Sequence, residues 1–209
     1  MKLSFENLSV WRGEREIISG VSMDASSGEV IVVTGPNGCG KSTLLKTLAG
    51  LIKPASGKVE FSERGERTVA QCCHYLGHEN ALKSSLSVSE NLEFWQRFLT
   101  VPDFGTGVDI EEALDKVGLP GIEDVPVGYL SAGQKRRVAI ARLLICKRPV
   151  WLLDEPTGAL DKNSEKQFAR IVEEYRSGGG IVVAATHQPL GIANIKKLEL
   201  KPVERMAIS

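Results

Sequence analysis

Residues 29–42 read EVIVVTGPNGCGKS, and this stretch decides the fold. Glu29 to Thr34 is a short β-branched run of the kind that forms a buried strand, and it ends in a glycine-rich loop. From Lys41 to Leu51, apolar and helix-forming residues follow at helical spacing. In this strand, loop and helix context, the spacing Gly35-x4-Gly40-Lys41-Ser42 is that of a phosphate-binding loop. Gly35, Pro36, Asn37, Gly38, Cys39 and Gly40 bring backbone close to phosphate oxygens, and the helix behind them offers its electropositive N-terminus. Lys41 is expected to reach the β and γ phosphates of a nucleotide, Ser42 to bind Mg2+ and Thr43 to support the helix start.

The rest of the 209 residues bounds this reading. The length is enough to bury a substantial core in one unit. Twenty-six Lys and Arg balance 26 Asp and Glu, which removes the case for a general polyanion-binding surface, so no direct nucleic-acid partner is expected. The opening MKLSFENLSV lacks the basic-then-apolar order of a secretory signal. No stretch reaches the ~20 consecutive apolar residues of a membrane-crossing helix. The chain is therefore expected to be soluble by itself and to meet a membrane through partners. Cys39, Cys72, Cys73 and Cys146 are too irregularly spaced for a disulfide framework, and the adjacent Cys72, Cys73 and His74 do not converge readily on one metal ion.

Outward from the loop, residues 2–10 alternate in character and predict an edge strand, residues 20–25 a second strand, and Gly57–Phe61 a third, followed by a charged turn over Ser62–Arg67. Between Ser87 and Pro126 the pattern becomes helical. Ser87 and Glu90 have the spacing of a capping box ahead of Leu92, Trp95 and Phe98, and Ile110, Leu114 and Val117 mark another amphipathic helix after a break at Thr100–Gly107. Val150–Leu153 and Ile181–Ala185 restore the strand pattern, with a helix over Ser164–Tyr175 between them and a small strand or tail expected over Leu198–Ser209. The expected architecture is α/β, with residues 1–209 forming one nucleotide-binding domain and residues 79–145, approximately, a helical subdomain inserted into it.

A carboxylate pair, Asp154-Glu155, follows the apolar run Val150–Leu153 and so emerges at the end of a strand. Asp154 is placed to organise Mg2+ through water, and Glu155 to orient or deprotonate an attacking water; phosphoryl transfer depends largely on such positioning and charge stabilisation. With the phosphate loop, the order of motifs resembles the ATP-binding subunits of ABC transporters over nearly the whole chain. That resemblance implies an ABC-type P-loop domain with an N-terminal antiparallel β subdomain, ATP as substrate and Mg2+ as cofactor. It makes Leu130, Ser131, Ala132, Gly133 and Gln134 the signature loop, which contacts the γ phosphate held by a second copy of the chain, so that neither loop completes an ATP site in one copy. Asp161, within Gly158-Ala-Leu-Asp161, is implied at the dimer interface, and His187 as the switch histidine touching the γ phosphate.

Two positions depart from that family's pattern. His78 stands where a magnesium-sensing glutamine is expected, and imidazole is shorter than a glutamine side chain and changes charge with pH. Trp11 is available to stack on adenine, while Arg12 occupies the simpler alignment of the aromatic and offers a cation–π contact instead.

The segments Tyr75-Leu-Gly-His78, Leu86-Ser-Val-Ser-Glu-Asn-Leu92, Leu130–Arg137 and Ala185-Thr-His-Gln188 resemble more narrowly the CcmA family, the ATP-binding subunits of the haem exporter of cytochrome c maturation. Membership implies attachment to the cytoplasmic face of a bacterial inner membrane through subunits resembling CcmB and CcmC, with CcmD, and a functional link to the haem chaperone CcmE. Haem chemistry in that family lies with the membrane partners, so His74 and His78 are not expected to bind haem. The competing readings are an ATPase for another small-molecule or lipoprotein exporter, a soluble ABC ATPase remodelling nucleic acid or ribosomes, and a nucleotide-binding interaction protein without turnover. The presence of both Asp154 and Glu155 argues against the last.

Overall fold

The computed structural model describes residues 1–62 and 65–203 and divides its strands between two sheets. β1 (Lys2–Arg12), β2 (Arg15–Ser26) and β4 (Ser56–Phe61) form an antiparallel sheet in the order β2-β1-β4. β3 (Val30–Thr34), β5 (Cys73–Leu76), β6 (Val150–Asp154), β7 (Ile181–Ala185) and β8 (Lys196–Glu199) form a parallel sheet in the order β5-β6-β7-β3-β8. The first strand is thus central rather than an edge, because the chain returns after the phosphate loop to add β4 along its free side. Pairing with β4 ends at Ser9↔Ser56, so Val10–Arg12 are held by β2 alone.

The parallel strands are buried on both faces, which is why they read as continuous apolar runs rather than alternating ones. Val30, Val32, Trp151, Leu153, Val182 and Ala184 point to one core, shared with α3 (Val88–Leu99), α4 (Ile110–Lys116), α5 (Ala132–Leu144) and α6 (Lys162–Ser177). Their neighbours Ile31, Val33, Val150, Leu152, Ile181, Val183 and Ala185 point to the other, shared with α1 (Lys41–Leu48) and the apolar face of the antiparallel sheet. The period-2 geometry of strands makes this division from one sequence run. The predicted capping box forms: Ser87 Oγ accepts from the Glu90 amide at 3.1 Å and Glu90 Oε2 from the Ser87 amide at 2.8 Å. α1 stops at Leu48, short of the expected Leu51, where Gly50 turns with φ of 71°. The last strand lies at 196–199, earlier than expected; residues 63–64 of the charged turn and residues 204–209 of the tail lie outside the described residues. No helix among the described residues is long and apolar enough to cross a membrane.

α2 (Val69–Cys72) and β5 are not visible in the sequence as regular elements, and β5 makes His74 a strand residue. The His74 ring is buried, and its Nε2 lies 2.8 Å from the Cys146 carbonyl, to which it donates. Burial dominates this hydrogen bond and pushes the imidazole from 6.5 down to about 3. The folded value lies below the unfolded one, so the unfolded chain binds the extra proton between those limits and stability is lost as pH falls through the window. At pH 5 the loss is about 2 kcal/mol. Thermal melts at pH 7 and pH 5 should therefore show a drop that is smaller in His74→Gln; equal drops in both proteins would contradict this origin.

Candidate active site

The phosphate loop is built by conformations that side chains resist. Gly35 has φ of 140°, and a Cβ there would run into the Leu200 carbonyl and the Cys39 thiol. Gly40, with φ of 106°, is the N-cap of α1, and no side chain caps that helix. Its leading amides are thus left for an acceptor from outside the helix, the arrangement that binds phosphate. Thr43 lies in the first turn of α1 and is buried.

Six side chains, from α1, β5, the end of β6 and the segment after β7, meet beside this loop. Lys41 Nζ donates to the carbonyls of Gly35 at 2.8 Å and Pro36 at 3.2 Å, and lies 3.0 Å from His187 Nε2. With the ammonium as donor, Nε2 accepts and the imidazole proton sits on Nδ1. His187 Nε2 is also 3.6 Å from Glu155 Oε1, so the histidine stands between the loop lysine and the carboxylate. Ser42 Oγ donates to Asp154 Oδ1 at 3.0 Å, while the Tyr75 hydroxyl reaches Asp154 Oδ2 at 3.4 Å. Burial, and then the Asp154 charge, push the Tyr75 phenol up, so it remains a neutral donor. The paired hydroxyl and carboxylate of Ser42 and Asp154 are hard oxygen donors of the kind Mg2+ takes, and the pair fits that ion.

Glu155 sits in an unusual backbone conformation. Its φ is 45°, a left-handed geometry that costs a non-glycine residue about 1–3 kcal/mol. Its amide donates to the Ala185 carbonyl at 2.8 Å, fixing the end of β6 against β7. Its side chain is 31% exposed and so open to water, whereas Asp154 is buried.

The remaining predicted residues fall elsewhere. His78 is exposed in the loop after β5 and lines a cleft of 860 Å³ together with Ser42, Tyr75 and Asp154. No hydrogen bond joins it to the phosphate loop among the described residues. Trp11, 50% exposed, pairs in register with Glu16, next to Ile17 and Ile18, which pack against Gly40. Leu130 is buried in the core; Ser131 and Ala132 are exposed, and Gly133 and Gln134 are half-buried. Within one chain Ser131 caps α5, its Oγ accepting from the Gln134 amide at 3.2 Å and its amide donating to Gln134 Oε1 at 2.9 Å. A Cβ on Gly133 would lie 3.0 Å from the Ala159 carbonyl, so this loop packs closely on the segment leading to Asp161. Asp161 caps α6, and the Ser164 amide it accepts at 2.8 Å holds its carboxyl below the usual range. No hydrogen bond joins Leu130–Gln134 to Gly35–Ser42 among the described residues.

Two residues at the site were missed by the sequence reading. Tyr75 lies in CHYL, too short a run to announce a strand. Arg136, buried on α5, donates to the carbonyls of Asp154 at 3.0 Å, Glu155 at 2.8 Å and Pro156 at 2.9 Å. It also donates to the Gly77 carbonyl at 2.8 Å and Asn80 Oδ1 at 3.2 Å. Its only sequence signal is a position one turn into the helix that Ser131 begins.

The family model of the ABC transporter matches residues 18–158, which include the phosphate loop, the LSAGQ loop and the carboxylate pair. The chain belongs to the ABC transporter family. Two curated relatives place it in the CcmA group of that family. The cytochrome c biogenesis ATP-binding export protein CcmA of Rhizobium meliloti is 52% identical over 202 residues, covering 96% of this chain and 98% of that protein. That of Mesorhizobium japonicum is 53% identical over 194 residues, covering 92% and 94%. A solved Pyrococcus furiosus structure described as an ABC transporter ATP-binding protein superposes with a TM-score of 0.81 at 26% identity, over 96% of this chain and 98% of that one. As an ABC ATPase, the chain binds ATP, and Gly35–Ser42 is the loop whose geometry suits its phosphates.

Proposed function

We propose that this chain is the ATP-hydrolysing subunit of a membrane complex that drives haem export, or release of the haem chaperone, in cytochrome c maturation. The observation that carries this assignment is the likeness to CcmA at about half identity over nearly the full length of both chains. The cluster of Lys41, Ser42, Asp154, Glu155 and His187 supplies the chemistry that the assignment requires.

ATP lies with its phosphates on Gly35–Gly40 and Lys41, and Trp11 beside the loop is the aromatic offered to adenine. Ser42 and Asp154 would hold Mg2+, which neutralises phosphate charge when bound. Glu155 orients the attacking water and takes its proton, and His187 steadies the γ phosphate. A second copy of the chain completes each site, bringing Ser131 and Gly133 of its LSAGQ loop to the γ phosphate with Asp161 at the interface. The helix behind that loop then presents its N-terminus to the same charge.

Residues 79–145 act as the helical arm of one nucleotide-binding domain. The cleft beside His78, walled by Leu51, Trp95, Phe98 and Leu99, receives a segment of the membrane subunits, which resemble CcmB and CcmC with CcmD. The chain then sits peripherally on the cytoplasmic face of the inner membrane, haem remains with the membrane partners, and CcmE is the chaperone served. The test is purification of the intact assembly followed by haem transfer to CcmE. The chain should copurify with those membrane proteins, and haem should move only with hydrolysable ATP. Transfer indifferent to ATP, or copurification with an unrelated exporter, would overturn the assignment.

A further inference from the structure

We infer that Arg136 is a positioning residue for hydrolysis, a buried clamp that sets the backbone on which Glu155 aims at water and ties it to the His78 loop. The inference rests on the reading of Glu155 as the carboxylate that activates water.

Among the described residues Arg136 makes five hydrogen bonds, and they go to two places. Three go to consecutive carbonyls, Asp154, Glu155 and Pro156, on either side of the left-handed Glu155. Two go to Gly77 and Asn80, which flank His78 in sequence. A guanidinium has five donors in a fixed plane, and this site uses a bond at Nε, two at Nη1 and two at Nη2. A left-handed glutamate persists only when its surroundings over-determine it, and the clamp is one of the contacts that do so. Burial lowers the guanidinium to about 10, opposed by the Asp154 and Glu155 carboxylates, so it stays charged at neutral pH. Because Arg136 lies on α5 a turn beyond Ser131, the same side chain joins the LSAGQ helix, the end of β6 and the His78 loop. Among the described residues no hydrogen bond joins it to Lys41 or the phosphate loop, so it acts on the glutamate rather than on nucleotide affinity.

Lysine keeps the charge at this position but has no fork to span both groups of acceptors. Asn80→Ala removes a single contact from the clamp and leaves Arg136 in place, which guards against loss of fold in the more severe variant. The experiment measures ATP turnover, ATP affinity and melting temperature for Arg136→Lys, Asn80→Ala, Glu155→Gln and the Arg136→Lys/Glu155→Gln double variant, in the purified membrane assembly. Misplacing a reacting group by about 1 Å costs up to about a hundredfold, so kcat in Arg136→Lys should fall roughly tenfold to a hundredfold with ATP affinity unchanged. Asn80→Ala should show a smaller loss in kcat alone. In the Glu155→Gln background the lysine substitution should add nothing further, since its effect runs through that carboxylate. Normal kcat in both Arg136→Lys and Asn80→Ala, or losses that multiply in the double variant, would overturn the inference. Should Arg136→Lys prove unstable, the kcat of Asn80→Ala decides. Normal turnover in Glu155→Gln alone would instead remove the reading of Glu155 on which the clamp depends.

Discussion

Replacing Glu155 with Gln should slow ATP turnover by about a hundredfold to ten-thousandfold while leaving ATP affinity intact, the range expected when a positioned general base is lost. The substitution is nearly isosteric, so the left-handed turn, the Ala185 hydrogen bond and the Arg136 hydrogen bond, all made by the Glu155 backbone, are retained. What disappears is the carboxylate charge, and with it the base, facing His187 and solvent. Because Asp154 is buried and already engaged by Ser42 and Tyr75, it is badly placed to take over. Single-turnover hydrolysis in the purified complex checks this, and unchanged turnover would reject Glu155 as the catalytic carboxylate.

Replacing Lys41 with Ala should act on the other quantity. Its ammonium is held over the loop by the Gly35 and Pro36 carbonyls and by His187, at the place where phosphate charge arrives. A charge-assisted hydrogen bond contributes about 1.5–3 kcal/mol, so ATP affinity should weaken roughly tenfold to a hundredfold. Titration with a fluorescent ATP analogue measures this directly. Affinity equal to the parent chain would remove Lys41 from phosphate binding, whatever its effect on turnover.

The fold class and the strand, loop and helix around Gly35–Ser42 are legible in the sequence. The phosphate loop announces itself because its chemistry is local: a strand, glycines at fixed offsets and a helix start within a few residues. The capping box at Ser87 and Glu90 is local in the same sense, and it forms as expected. β1 was misjudged because strand position depends on which distant segment returns to pair, and nothing in residues 2–10 encodes the arrival of Ser56–Phe61. β5 escaped because its four residues include a histidine, whose burial depends on a carbonyl 72 positions away. Arg136 escaped for a related reason. An arginine among Lys135 and Arg137 on an amphipathic helix reads as solvated charge, and only the tertiary structure brings five acceptors to it. Ser131 and Asp161 each make a complete helix cap in a single chain, and any second role requires the partner copy.

In the proposed assembly each ATP site is shared, with Gly35–Ser42 from one copy and Leu130–Gln134 from the other. Sedimentation of the Glu155→Gln chain in ATP and Mg2+ tests it most directly, because blocked hydrolysis traps the closed state. A particle of about twice the 22.7 kDa chain is expected, reverting to a single chain when Ser131→Arg is added to push a bulky side chain into the shared site. A chain that stays monomeric with ATP bound, or a dimer indifferent to Ser131→Arg, would contradict it.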